Sequence, residues 1–343
     1  MKKKWIFFFV VLASNLIFSG TFRPEPGKPV EIKAGRAVYK WEIKKLLLEN
    51  SNRILPSINY GNSTLISDLM IYDDNLKKGF AYGNVHYEDK KERVIVNAQE
   101  AIYDEATKEI TLSRNPTIIM KKDGTFAKSD RIKIYPEKDL VYLIGNVSIS
   151  NTNFLINGKQ AEMNRGKNQF IIKDDVVVTQ KETKLYAKRA TLDSSSKANS
   201  YTASGGVKVE DLKEGYTIFA DRLDYFKEEG YMRITGGYPS LYSRPTIKFT
   251  NREAVVSSTV MEKFDKEEKA NLLGDVEITQ GERKVFSKWG EYFIKEKKVI
   301  LTGSPVLQDG TSKFYSYRIT VDVDKQTVSM RGKGKGKYLL KNQ

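Results

Sequence analysis

The chain has 343 residues, a formal net charge of +15, no cysteine and a single histidine, His86. This composition excludes a disulfide framework, a thiolate metal centre, a cysteine nucleophile and a lipid carried on an N-terminal cysteine, and it removes most zinc and His-based acid–base chemistry. The excess of Lys and Arg gives either a solvated surface or attraction to an anionic partner such as phosphorylated lipid.

Lys2-Lys3-Lys4 precede an apolar run from Trp5 to Phe18, and the small residues Ser19 and Gly20 follow. A basic start, a short apolar core and a small-residue exit describe an export signal over residues 1–20. The run falls short of the roughly 20 residues that span a bilayer, which favours cleavage. Phe18 suits a cleavage site poorly, so a retained N-terminal membrane anchor is the alternative. Residues 21–33 carry Pro24, Pro26 and Pro29 and read as an extended leader.

From residue 34 to residue 330 a unit of roughly thirty residues recurs, the signature of a stacked architecture. One mark is a small residue, a small or apolar residue three later, and a bulky apolar one two after that. It reads Ala34-Ala37-Tyr39, Ser67-Met70-Tyr72, Ala98-Ala101-Tyr103, Ala127-Asp130-Ile132 and Gly158-Ala161-Met163. It continues as Ala187-Ala190-Leu192, Ala220-Leu223-Tyr225, Asn251-Ala254-Val256, Ser287-Gly290-Tyr292 and Ser316-Ile319-Val321. The other mark reads as a turn followed by a β-branched residue or Pro. Its copies are Gly83-Asn84-Val85, Asn115-Pro116, Gly145-Asn146-Val147, Asp174-Asp175-Val176, Gly205-Gly206-Val207, Gly237-Tyr238-Pro239, Gly274-Asp275-Val276 and Gly303-Ser304-Pro305.

Apolar and polar residues alternate on both sides of these marks, as in Val176-Val178 with Thr179 and Val207-Val209 with Lys208 and Glu210. That is the period of antiparallel strands with one buried side. A three-residue step within the first mark breaks the period of two, so a strand kinks or bulges there. Strand-to-strand turns are placed at Asp73-Asp74-Asn75, Asp104-Glu105, Lys122-Asp123-Gly124, Asn164-Arg165-Gly166, Glu229-Gly230 and Gln280-Gly281. Glu42–Asn50 reads as a short helix or, through Leu46-Leu47-Leu48, as a strand. Residues 194–200 and 257–269 are polar loops, and 331–343 is a basic flexible tail.

The repeated turn with Gly-Asn-Val, the apolar strand and Ala-x-x-Ala-x-Tyr, clearest in Gly83-Asn84-Val85 with Ala98 to Tyr103, resemble the LptA/OstA family, to which the membrane-anchored LptC is related. The resemblance implies an all-β fold, an OstA-type β-taco or β-jellyroll: two antiparallel sheets folded in a V from about ten repeats. It implies a non-enzymatic periplasmic protein that binds the acyl chains of lipopolysaccharide inside the V and carries them from inner to outer membrane. Either an LptC-like, inner-membrane-anchored partner of the transport ATPase or a ligand-free β-fibre or adhesin would share the pattern.

On that reading the groove interior comprises Ala98, Ala101, Tyr103, Val147, Ile149, Ala161, Met163, Val176, Val178, Ala187, Ala190, Leu192, Val207, Val209, Ala220, Leu223, Tyr225, Val276 and Ile278. Tyr39, Tyr72, Tyr103, Tyr225 and Tyr292 share one register, closing the core or presenting hydroxyls at its mouth. Unpaired strand edges, expected at Asn59–Tyr72 and Val321–Met330, would invite strand addition by other β-taco components of the Lpt system or by a second copy end to end. Paired carboxylates for glycoside chemistry, a nucleophile–base pair and a phosphate-binding Gly loop are absent from the sequence, so no enzyme, cofactor, metal or nucleic-acid partner is expected.

Overall fold

The computed structural model describes residues 30–60, 62–91, 93–122, 124–135, 138–164, 167, 169–193, 200–213, 215–237, 244–250, 254–322, 325, 327–332 and 335–337. The expected export segment, nearly all of the expected leader, residues 194–199 of the expected polar loop and most of the expected basic tail lie outside them. So do Asp123, Arg165-Gly166, Tyr238-Pro239 and Asn251 from the sequence marks and turns. Within the described residues there are thirty strands and no α-helix, and the strand pairings are antiparallel. They fall into two units, Met1–Gln180 with Thr191–Ser195 and Lys181–Ala190 with Ser196–Gln343.

In the first unit the long strands are creased at their middles. Lys78–Asp89 pairs with Val94–Asp104 from Lys78 opposite Asp104 to Tyr82 opposite Glu100, and again from Val85 opposite Ala98 to Asp89 opposite Val94. Gly83-Asn84 on one strand and Gln99 on the other fall in the gap. Leu140–Ser150 and Leu155–Asn164 break the same way, with Gly145-Asn146 facing Lys159. In the second unit the breaks are Gly205-Gly206 facing Asp221 and Gly274-Asp275 facing Lys288. The two sequence marks are therefore the two sides of one crease.

This corrects the reading of the second mark as a turn at Gly83, Gly145, Asp174, Gly205 and Gly274, where one strand runs through it, whereas Asn115-Pro116 and Gly303-Ser304-Pro305 do lie between strands. Two successive residues take positive φ, 71° and 45° at Gly83-Asn84 and 75° and 44° at Gly145-Asn146. Gly, Asn and Asp favour that conformation wherever it occurs, so a hairpin turn and a mid-strand bulge have the same composition. Here the strand continues beyond the pair.

The leading Gly is fixed twice over. A Cβ at Gly83 would sit 2.3 Å from an Asp68 carboxylate oxygen, and at Gly145 2.2 Å from one of Asp130. At Gly205 and Gly274 it would meet Lys188 and Thr259 at 2.8 Å. Each blocking residue follows the small residue of the first mark. Where that residue is Ser, its hydroxyl donates to the carbonyl two residues on: Ser67 to Leu69, Ser129 to Arg131, Ser258 to Val260 and Ser316 to Arg318, at 2.9–3.0 Å. The first mark thus begins at Ser129 and Ser258 in the copies read from sequence at Ala127 and Asn251. Other small or polar residues nearby mimicked it.

Each crease divides its unit into two leaves. In the first unit one leaf is a meander through 36–40, 45–49, 69–73, 78–82, 100–104, 109–113, 131–135, 140–144, 160–164 and 169–173. The other runs through 30–33, 57–60, 63–66, 85–89, 94–98, 117–120, 125–128, 147–150, 155–157 and 177–179. Lys45–Glu49 is a strand, which settles the ambiguity over Glu42–Asn50. The second unit repeats the plan, with one leaf from 200–204 to 327–331 and the other from 207–211 to 335–337.

The expected N-terminal edge is displaced. Ser57–Tyr60, Ser63–Ile66 and Leu69–Asp73 each have neighbours on both sides, because Val30–Lys33 and Arg36–Lys40 add a further strand to each leaf. Among the described residues of the first unit, those two pair on one side only. In the second, Thr327–Arg331 and Lys335–Lys337 pair on one side among the described residues, which agrees with an edge within Val321–Met330.

Outward faces carry cross-strand polar ladders. Lys45 reaches Asp73 at 2.9 Å and Lys78 reaches Asp104 at 3.0 Å. Glu109 accepts from Lys133 at 2.8 Å, Thr111 at 2.6 Å and Tyr135 at 2.5 Å. Burial alone would raise the Glu109 carboxyl, but these three bonds outweigh it and hold it at about 2, from 4.5. The same bond, and then burial, pushes the Tyr135 phenol up to about 12.

Two outcomes are expected. Gly145→Ala should cost about 2–4 kcal/mol through φ and close approach together, whereas Gly124→Ala, at φ 71° with nothing within 4 Å, should cost about 1 kcal/mol; equal shifts in thermal midpoint would remove the close-approach explanation. The lowered Glu109 adds stability that is complete above its unfolded value of about 4.5 and is lost as pH falls through about 2. Acid-unfolding curves of Glu109→Gln should therefore be flatter between these limits than those of the unaltered chain.

Candidate functional site

Alternate residues of both leaves are shielded from solvent. A single sheet cannot bury its own face, so in each unit the shielded faces are those the two leaves turn toward each other. Beside the crease the floor is closed except on the end strands, where Ala37 and Met330 are exposed. In the first unit Met70, Ala81, Val85 and Ala98 are buried, and in the second Val207, Ala220, Val276 and Leu301 are.

Above the floor the walls differ along each unit. From residue 112 to residue 178 of the first unit they are sealed. Ile132, Leu143 and Ala161 on one leaf and Ala127, Ile149 and Ile156 on the other are at most 2 % exposed. Bulky chains from both sides fill the space, and Phe154 is buried although it belongs to a hairpin turn, shaped by Asn151 accepting from the Asn153 and Phe154 amides. Nearer residue 30 the walls open. Leu46 and Tyr72 on one leaf and Ile58, Leu65 and Tyr87 on the other are half-buried inward positions. Tyr39 and Tyr103, in the same inward row, are exposed.

The second unit has the same division in the opposite order. Tyr201, Ala203, Ile218, Leu223, Tyr225 and Met232 are sealed. Further on, Ile247, Val256, Ile278, Leu307 and Phe314 line one wall half-buried, and Ala270, Tyr292, Val299 and Val321 line the other. Each unit thus holds a stretch of apolar trough with a closed floor and accessible walls.

Of the residues expected to line the interior, Ala98, Ala101, Val147, Ile149, Ala161, Met163, Val176, Val178, Ala187, Leu192, Val207, Val209, Ala220, Leu223, Tyr225 and Val276 are buried. Ala190 and Ile278 are half-buried, and Tyr103 stands exposed at the lip. The buried ones occupy floor or sealed wall. The accessible wall residues Ile58, Leu65, Tyr87, Ile247, Val256, Leu307 and Phe314 were missed. They alternate with polar neighbours like every other strand residue, and the only sequence signal would have been smaller or more polar residues opposite them.

The lips are polar. Tyr72 donates to Glu105 at 2.9 Å and Tyr225 to Asp265 at 3.2 Å, each joining an inward ring to a hairpin turn. Burial, then the Asp265 charge and hydrogen bond, push the Tyr225 phenol up to about 12, so it remains a neutral donor at physiological pH. Lys263, in the inward lip row, is held by Asp265. On the opposite leaf of the first unit Ser63 donates to the buried Asp89, and Tyr87 donates to Ser63. His86 lies on an outward face, bonded to Asn97 at 2.8 Å, and no group of metal-ligating side chains occurs among the described residues. The site offers apolar surface under a hydrogen-bonding rim.

Residues 155–327, half of the chain, match the family model of the LptA/(LptD N-terminal domain) LPS transport protein, and residues 84–176 match that of the LptC-related lipopolysaccharide-assembly proteins. No curated protein sequence matches the chain. Among solved structures, LptH of Pseudomonas aeruginosa, the LptA homologous periplasmic component of a lipopolysaccharide transport device, is 14 % identical, with 55 % of this chain and 95 % of that one covered and a TM-score of 0.17. The WD40 domain of fission-yeast SCAP is 10 % identical, covering 92 % of this chain and 90 % of its own, with a TM-score of 0.14. Superpositions this poor carry no weight beside the family matches. With creased antiparallel leaves around an apolar floor, and a family model spanning half its length, the chain belongs to the LptA/(LptD N-terminal domain) family and has a role in lipopolysaccharide transport.

Proposed function

We propose that the chain is a non-enzymatic periplasmic carrier that holds the acyl chains of lipopolysaccharide in its trough on the way from inner to outer membrane. The observation that carries this reading is the half-exposed apolar wall above a closed floor: Ile58, Leu65 and Tyr87 in the first unit, and Ile247, Val256, Ile278, Leu307 and Phe314 in the second. Accessible apolar surface of this kind is normally covered by a ligand or partner. A slot between leaves about 10 Å apart suits hydrocarbon, with sugars and phosphates left at the polar lips. The floor and sealed walls, including Val147, Ile149, Val176, Val178, Val207 and Ala220, would contact acyl chains only when the leaves separate.

Strands that pair on one side among the described residues, Val30–Lys33, Arg36–Lys40, Thr327–Arg331 and Lys335–Lys337, suit backbone pairing with other Lpt components or with a second copy. The LptC-related match over residues 84–176 favours, as a second reading, a version held at the inner membrane by the apolar run Trp5–Phe18. N-terminal sequencing of the protein recovered from cells separates the two: a start near residue 21 removes the anchored form.

Photocrosslinking in cells tests the trough. A photoreactive residue at Leu65, Tyr87, Ile278 or Leu307 should give lipopolysaccharide adducts, and one at Ala203 or Val207, both at 0 % exposure, several-fold fewer. A lack of adducts from every inward position would instead favour a packed fibre without ligand.

A further inference from the structure

We propose that the paired turns 41–44 and 74–77 of the first unit form a membrane-inserting tip that docks the open stretch of the trough on an anionic bilayer. Trp41 is 81 % exposed, Leu76 57 % and Ile43 44 %. One exposed apolar residue on a turn is ordinary, but three large ones on two adjacent turns are not. The next turn in the row, Glu105 to Lys108, is polar.

The tip is braced. The Asp74 amide donates to the Lys44 carbonyl at 3.0 Å, and the Asn75 side-chain amide donates to the Ile43 carbonyl at 3.0 Å. Lys44 closes its own turn onto the Trp41 carbonyl at 3.3 Å. The Trp41 ring stands edge-on to Tyr39 with centroids 4.6 Å apart. Around it lies a collar of Lys40 and Lys44, both exposed, and the half-buried Lys108, with Glu42 as the exposed acid. Asp73 is buried and held by Lys45, and Asp74 is held by Lys77.

Shape and chemistry select the occupant. The surface is a pair of convex turn ends, which a fluid interface accommodates without a matching cavity. The backbone edges for a protein partner lie along Arg36–Lys40, not on its turn. Indole at headgroup depth, Ile and Leu below it and lysines snorkelling to lipid phosphates are the arrangement that a bilayer surface takes up. The turns adjoin Tyr39 and Tyr72 of the inward lip row, so docking would set the open trough against the lipid surface. This purpose rests on the carrier reading; insertion itself does not.

The test uses the full chain with Trp5→Phe and Trp289→Phe, leaving Trp41 as its sole tryptophan. It is mixed with vesicles of phosphatidylglycerol and phosphatidylethanolamine, or of phosphatidylcholine, with and without brominated acyl chains. The expected result is a blue-shifted Trp41 emission, quenched by bromine on the anionic vesicles. Ile43→Ser with Leu76→Ser should weaken that response about tenfold or more. Residues 1–29 can hold the chain on a vesicle by themselves, so the readout is quenching at Trp41 and not pelleting. Bound protein with unquenched Trp41 overturns the proposal. A vesicle-independent shift that grows with protein concentration also overturns it and assigns the tip to a second copy. Quenched Trp41 without lipid adducts from any inward position would leave the tip standing and sink the carrier reading.

Discussion

The constraint on which everything else depends is a pair of positive-φ residues in the middle of a strand. A β-strand is straight to within its twist, and turning it sharply while both halves keep their ladders requires a bulge on one strand and a smaller one on its partner. Gly83-Asn84 opposite Gln99, and Gly145-Asn146 opposite Lys159, supply that in the first unit. Gly205-Gly206 opposite Asp221 supplies it in the second. The close approach of Asp68, Asp130 and Lys188 to the leading glycines stacks each crease on the next, so the creases align and each sheet folds along one line instead of crumpling.

From that line the rest follows by packing. Next to the crease the leaves are close and even Ala and Val exclude water, as Ala203, Val207 and Ala220 do at 0 % exposure. Farther out, side-chain volume decides. Where Ile134, Val141, Met163 and Phe170 make up the lip row the leaves meet, and where Leu46, Tyr72, Gly79 and Tyr103 make it up they leave a gap. Filled and open lengths of the interior are thus one architecture with different side-chain volumes, which is why a packed fibre and a lipid trough look alike in periodicity.

Much of this was legible in the sequence. Alternation gave the strands, and the small-x-x-apolar step gave the kink, because a three-residue step cannot fit a period of two. The pairing of the two marks across one crease was hidden, since Gly-Asn has the same preference for positive φ in a hairpin and in a bulge. Register slipped at Ser129 and Ser258, where only the hydroxyl bond to the carbonyl two residues on distinguishes the right small residue from its neighbours. Most of the expected interior residues are buried, and of the accessible wall only a few, such as Ile278 and Tyr103, were among them. Burial of a side chain depends on the volume across the slot, which comes from residues distant in sequence. Tyr103 illustrates this: its register matches Tyr225, yet one is exposed and the other sealed.

Each crease locks only against the one before and the one after, and each leaf is a meander of near neighbours. Nothing in such an arrangement counts its own copies. Duplicating a repeat would lengthen a leaf by about 10 Å, two strand spacings, without disturbing any contact elsewhere. The span of the structure is therefore a quantity that gene duplication can reset in fixed increments, like links added to a chain, to suit whatever distance has to be crossed.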